Sequence, residues 1–328
     1  MKNALILVFT FLPFLGYANS IKLSDVDYRI HGGISGNVQF QKHSASQEEL
    51  GTAINDFIIA LKPIPTDETI TVNAAVGNLQ QQDFFFTTAP TPPMDLGLLY
   101  GWFNIKPNDL LHLEMGLIES KSKYEKTISF NNPNIMMGMT RRSQANYYTG
   151  FRLNLEDKDI PLKFHIEYGA PDNITETQLA AGINWTYKNH YVSVNLLNAT
   201  DEKQTLNTHG NFRLHNLLSV GFNIDRHDLT EFPKEKNNIA FGLAAYATLH
   251  FEDLTIPVRG EIIEDKDTNM YQLGRAYSLT ISPSMKLKKN TYARVDVFYV
   301  KSSAKPFKDD RSFVNNQAGS SVQLIWKF

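Results

Sequence analysis

The 328-residue chain has no cysteine, which removes disulfides, thiolate metal sites and cysteine nucleophiles from consideration. It has no excess of one charge either: Lys plus Arg number 32 and Asp plus Glu 34, a formal net charge of -2. No basic block breaks that balance, so a nucleic-acid partner is not expected. Beyond residue 20 there is no long apolar run. The longest candidate, AFGLAAYATL at 240–249, is about half of the roughly 20 residues that a membrane helix needs. A mean hydropathy of -0.30 is likewise too polar for a bundle of membrane helices. Common catalytic signatures are missing: there is no His-Glu-x-x-His, no phosphate-binding loop and no dinucleotide glycine fingerprint. No catalysis and no cofactor are expected.

What the chain does have is aromatic residues, at 12%, and an N-terminal address. Lys2 precedes the apolar core ALILVFTFLPFL at 4–15, and Gly16-Tyr17-Ala18 places small residues at the -3 and -1 positions of a cleavage site. Residues 1–18 are therefore read as a secretory signal cleaved after Ala18, leaving 19–328 as one domain.

In that domain the recurring hydrophobic period is two, not 3.6. Leu111, Leu113, Met115 and Leu117 alternate with His112, Glu114 and Gly116. Leu162, Phe164, Ile166 and Tyr168 alternate with Lys163, His165 and Glu167, and Leu254, Ile256, Val258, Gly260 and Ile262 enclose Arg259 and Glu261. The runs bracket the ~9–11 residues that a tilted strand needs to cross a bilayer core. In a soluble sandwich the apolar row would face another sheet, whereas in a membrane barrel it faces lipid and the polar row faces a wet lumen. Tyr100, Trp102, Tyr147, Tyr148, Trp185, Tyr187, Tyr191, Tyr292 and Trp326 fall near expected strand ends, where interfacial girdles form. Val322, Leu324, Trp326 and Phe328 alternate up to the final phenylalanine. Such a strand resembles the signal read by the barrel-assembly machinery, with Trp326 and Phe328 as its marks. The expected fold is all-β: a transmembrane, antiparallel, up-and-down β-barrel in the outer membrane of a Gram-negative-type bacterium.

Turn chemistry sets the strand count. Tight polar turns are expected at 62–69, 106–109, 156–160, 188–190, 252–253 and 288–290, with a weaker one at His215-Asn216. Longer loops are expected at 41–54, 81–95, 119–146, 170–177, 199–204, 226–238, 264–276 and 301–317. Seven turns join fourteen strands and the first and last strands make 16; without the turn at His215-Asn216 the count falls to 14. Sixteen strands leave an aqueous lumen. The longest loop, 119–146, carries Met136, Met137 and Met139, which need cover that an exposed loop lacks. It is expected to fold into the barrel mouth, with a helical turn at 134–140 and with Arg141 and Arg142 at the constriction or, equally, solvated outside.

The segments WFNIKPNDLLHLEMGLIESKSKYEKTISFNNPN (102–134) and NYYTGFRLNL (146–155) resemble the OmpL-like β-barrel porin family. The shared features are a Pro-Asn-Asp turn between two strands, a loop with Asn132-Pro133 and the strand start Tyr147–Arg152. The stretches 258–267 and 293–307 are similar to that family's late strands, and the chain departs from it at Met136, Met137 and Met139. The resemblance implies a channel without naming a solute. The inward charges expected to line it are His112, Glu114, Lys163, His165, Glu167, Arg259, Glu261, Arg294 and Asp296, because Arg or Lys at the lipid midplane costs roughly 2–4 kcal/mol. Both signs occur, so strong ion selectivity is not expected. The resulting expectation is a porin for passive diffusion of small hydrophilic solutes, surrounded by outer-membrane lipid, with homo-oligomerisation open. The alternatives are a barrel enzyme of lipase or protease type, for which His227-Asp228 is the candidate pair, and a structural or adhesive barrel plugged by 119–146. Glu264, Asp265 and Asp267 are a weak calcium candidate set against an ordinary solvated loop, and no metal is assigned.

Overall fold

Strands whose alternate side chains meet lipid and water can satisfy every backbone group only by pairing all the way round, so the sheet has to close on itself. The computed structural model describes residues 20–23, 26–43, 48–64, 69–79, 97–171, 177–199, 203–229, 239–265, 270–304, 307–308 and 313–328. The expected signal segment with Ala18, and the expected loop at 81–95, lie outside them.

In chain order the wall consists of β1 (Val26–His43), β2 (Glu48–Pro63), β3 (Ile70–Leu79), β4 (Gly97–Ile105), β5 (Leu111–Glu119), β6 (Tyr147–Glu156), β7 (Leu162–Pro171) and β8 (Gln178–Tyr187). It continues with β9 (His190–Ala199), β10 (Lys203–His215), β11 (Leu218–Leu229), β12 (Ile239–His250), β13 (Leu254–Glu264), β14, β15 (Thr291–Ser302) and β16 (Asn316–Lys327). Strand β14 comes in two halves, Arg275–Ile281 and Ser284–Lys288, because Pro283 between them has no N–H to give the ladder. Each strand pairs antiparallel with its neighbours in sequence, and β16 closes on β1 from Gly33↔Lys327 to His43↔Gln317. The result is a closed 16-strand antiparallel barrel. A short lead strand, Ser20–Leu23, folds back on the start of β1.

The short connections gather at one end, which is the periplasmic end by the rule for bacterial barrels. Two show why they turn. Asn108 Oδ1 accepts the N–H groups of Leu110 at 3.0 Å and Leu111 at 2.8 Å. Lys188 adopts a φ of 53° in the two-residue hairpin between β8 and β9, the left-handed geometry such hairpins require. Strand β10 ends at His215 and β11 starts at Leu218, so the weak turn exists and the count of 14 is set aside.

The radial order is that of a membrane barrel. On β7, Ile166 is 49% exposed while its neighbour His165 is 2% exposed. A soluble protein would reverse those figures. Tyr168, Tyr277 and Tyr299 face outward near the loop end, and Trp185, Tyr187 and Trp326 face outward near the turn end.

Several expectations need correction. Backbone pairing of β1 with β2 persists up to Lys42↔Glu48, so most of the expected loop 41–54 is strand. Likewise β11 runs on to Leu229 instead of stopping at Arg226. No helical turn forms at 134–140: the N–H groups of Ile135 and Met136 are taken by Asp296 Oδ2, and the loop's short helical turns lie at Ser129–Asn131 and Thr140–Ser143. Tyr100, Trp102, Tyr148, Tyr191 and Tyr292 belong to no lipid girdle. Their register puts them on the lumenal face, Trp102 opposite Asn73 and Tyr148 in the inward row with Arg152.

Candidate functional site

Register fixes which side chains meet in the lumen. Loop 120–146 leaves β5, runs inside the barrel and returns to β6. Met136 and Met139 find their cover there, packed with Ile263, Phe298, Tyr271 and Leu273 under the outer rim. The loop's backbone is pinned to the wall by polar side chains. Ile135 and Met136 donate to Asp296 at 2.7 and 2.9 Å, and Thr140 donates to Glu261 at 3.1 Å. Asn134 reaches Ser282, Gln144 reaches Asp225 at 2.7 Å, and the Asn132 carbonyl accepts from Arg294.

At the centre lies Arg259 on β13, fully buried. It donates to Glu125 Oε1 at 2.7 Å and to the Met136 carbonyl at 2.7 Å, and its Nε stands 3.2 Å from Glu261. Glu125 also accepts the Gly138 N–H at 2.7 Å, so one loop carboxylate ties the two limbs of the loop to each other and to the wall. Removing charges this far from water is costly unless each finds a partner. Here the partners are supplied from both sides.

A second charge cluster lies across the barrel on β5, β6 and β7. Arg152 donates to Glu167 and Glu114, both at 2.6 Å. Asn184 is 3.1 Å from His165, and Lys163 donates to Glu156 at 2.7 Å. Of the nine charges singled out in sequence, Arg259, Glu261, Arg294 and Asp296 gather against the loop. Glu114, His165 and Glu167 stand around Arg152, while His112 and Lys163 sit lower and more open on the same strands. Arg141 turns into its own loop, donating to the Gln144 carbonyl at 2.6 Å and to the Asn146 side chain, and Arg142 is half-buried beside it. Within the loop, burial lowers Lys121 to about 8 and Lys123 to about 7, although Glu119 stands 3.1 Å from the Lys123 ammonium.

Glu125, Arg152 and Asp225 escaped the sequence reading. Asp225 shares the inward parity of Asn223 and His227 on β11, so alternation carried its signal. Glu125 lies in an irregular loop and carried none. The candidate enzyme pair does not assemble. His227 points inward, 2.8 Å from Thr205 and 3.0 Å from Tyr271, and its neighbour Asp228 takes the opposite face of β11. Asp265 accepts the N–H groups of Met270 and Tyr271, while Glu264 pairs outside with Arg275. Among the described residues no three metal-type ligands stand together.

Two of the spaces that the described residues leave between the loop and the wall lie on the periplasmic side. One, of about 480 Å³, lies against β1, β2 and β4; the other, of about 270 Å³, lies against β13 to β16. The tip residue Phe130 and the wall residue Lys327 border both.

Residues 71–328 match the model of the family described as "Putative beta-barrel porin-2, OmpL-like". The chain belongs to this family. No curated protein matches it. Among solved structures this porin is similar to the outer membrane channel DcaP of Acinetobacter baumannii (10% identity, TM-score 0.66, 95% of this chain and 100% of the other). It is also similar to the anion-selective porin from Comamonas acidovorans (9%, 0.66, 92% and 100%) and to Salmonella typhi OmpF (11%, 0.65, 94% and 100%). At such identities the likenesses establish the fold. Together with the family they make the chain an outer-membrane porin, a channel for passive diffusion.

Proposed function

We propose that this porin, exported by the segment ending at Ala18, admits small hydrophilic solutes along the lumenal face and does no chemistry on them. His112, Glu114, Lys163, His165, Glu167, Arg259, Glu261, Arg294 and Asp296 line the lumen, and loop 120–146 is its sieve. The observation that carries this reading is the inverted radial order, with apolar side chains outside and ion-paired ones inside, combined with a long loop docked within the barrel. Charges of both signs at close quarters order water across the passage and retard solutes by size and charge. Arg141 and Arg142 stiffen the returning limb of the sieve. The test is planar-bilayer recording of the purified protein. Discrete conductance steps in KCl are expected, and a membrane that stays silent with correctly folded barrel inserted defeats the reading. The tight seating of the loop favours small steps over large ones.

A further inference from the structure

The larger chamber contains surface that water and simple ions do not need. Ile58, Ala60, Tyr100, Ile128 and Phe130 give it an apolar wall. Register places Ile58 opposite Gly33 and Ala60 opposite His31 on the inward rows of β2 and β1, so lipid does not explain their apolarity. Lys62, Lys126, Lys327 and His31 border the same space against one acidic side chain, Glu119, and the last residue, Phe328, whose backbone oxygen accepts the Gly32 N–H at 3.1 Å. Glu119 is already engaged by Lys123 at 3.1 Å. Lys327 is turned to the loop tip, donating to the Phe130 carbonyl at 2.9 Å and lying over its ring. Lys62 and Lys126 are exposed, with no ion pair to a carboxylate among the described residues.

We infer that this chamber is a binding station for small amphipathic carboxylates: a planar apolar body, such as a benzene ring, carrying one anionic group. The ring packs on Phe130, Tyr100 and Ile58, and the carboxylate meets Lys62 and Lys126. A sugar would leave its hydroxyls unpaired against Ile58, Ala60 and Ile128, at a cost for each lost hydrogen bond. An inorganic anion gains nothing from the apolar wall, and a cationic amphiphile is repelled. The volume of about 480 Å³ suits one such solute with some water. The inference rests on the conduit reading only because solute must reach the chamber through the lumen.

The test compares benzoate with acetate, benzamide and phenyltrimethylammonium. Calorimetric titration of the full-length protein in detergent reads binding, and transient block of single-channel current in KCl reads access. Benzoate is expected to bind about tenfold or more tighter than each comparator, and the double variant Lys62→Gln with Lys126→Gln to lose about tenfold in that affinity. Benzoate binding no better than acetate or benzamide overturns the inference, as does a folded double variant that keeps full affinity. If the double variant fails to assemble, the four probes on the unaltered protein decide alone. Benzoate binding without conductance steps refutes the conduit and leaves the station; steps without benzoate preference do the reverse.

Discussion

Replacing Arg259 with methionine is the sharpest perturbation of the docked loop. Arg259 is buried between Glu125 at 2.7 Å and Glu261 at 3.2 Å, and it also holds the Met136 carbonyl. Arg259→Met fills similar space but leaves two carboxylates facing each other with no cation between them. Breaking a buried pair in this way costs roughly 3–5 kcal/mol. The wall ladder does not depend on this side chain, so the cost falls on the docked loop, which escapes it by releasing Glu125 into water. At about 1.4 kcal/mol per decade, the docking equilibrium moves by roughly two to three and a half decades. Single-channel recording should then show larger or noisier steps, with heat-modifiable gel mobility confirming an intact barrel. Combining Arg259→Met with Glu125→Gln and Glu261→Gln removes the stranded charges, and steps close to the original should return. If the single variant conducts like the unaltered protein, or the triple variant like the single, the ionic seam does not hold the loop.

Other consequences follow from the same geometry. Leu279 faces lipid at 50% exposure on the first half of β14, so Leu279→Arg should destabilise refolding in vesicles by roughly 2–4 kcal/mol, where Leu279→Phe changes little; equal urea midpoints for the two variants would contradict the outward face. In the docked loop Lys121 is lowered to about 8 and Lys123 to about 7, against the ordinary 10.5 once the loop is free. The free loop therefore binds more protons across that window, and docking strengthens as pH rises from about 7 to 10. Open-state noise should decline over this range, and noise that grows instead would reverse the sign. Asp296→Asn weakens the acceptor for Ile135 and Met136 N–H, a change of about 1 kcal/mol for each bond, so it should loosen the loop far less than Arg259→Met does.

The barrel was legible because lipid and lumen make opposite demands on alternate residues, and rows such as Leu162, Phe164, Ile166 and Tyr168 obey them strictly. Strand β4 was misread for the same reason in reverse. Tyr100 and Trp102 alternate with Gly101 and Phe103, so neither row is polar, and the inward aromatic row looked like an interfacial girdle. The turn after His215 was faint because no Gly or Pro marks it and alternation runs almost through it. The loop's need for cover could be read from three methionines, but its partners could not. Glu125 and Arg259 are 134 residues apart, and only the closed register of sixteen strands brings them together.

The loop has anchors of two kinds, and they answer salt differently. The methionine end at Met136 and Met139 is held by apolar burial, which added salt does not release. The ionic seam at Glu125, Arg259 and Glu261 is also insensitive, because its side chains are 0–4% exposed and buried pairs are screened much less than surface ones. A loop tethered by surface charge would loosen as the Debye length falls from about 10 Å at 0.1 M to about 3 Å at 1 M. Here the conductance of the main state should simply scale with the conductivity of the bath across that range, and open-state noise should stay level. Noise that climbs steeply with KCl would show that exposed ions, not the buried seam, keep the loop in place.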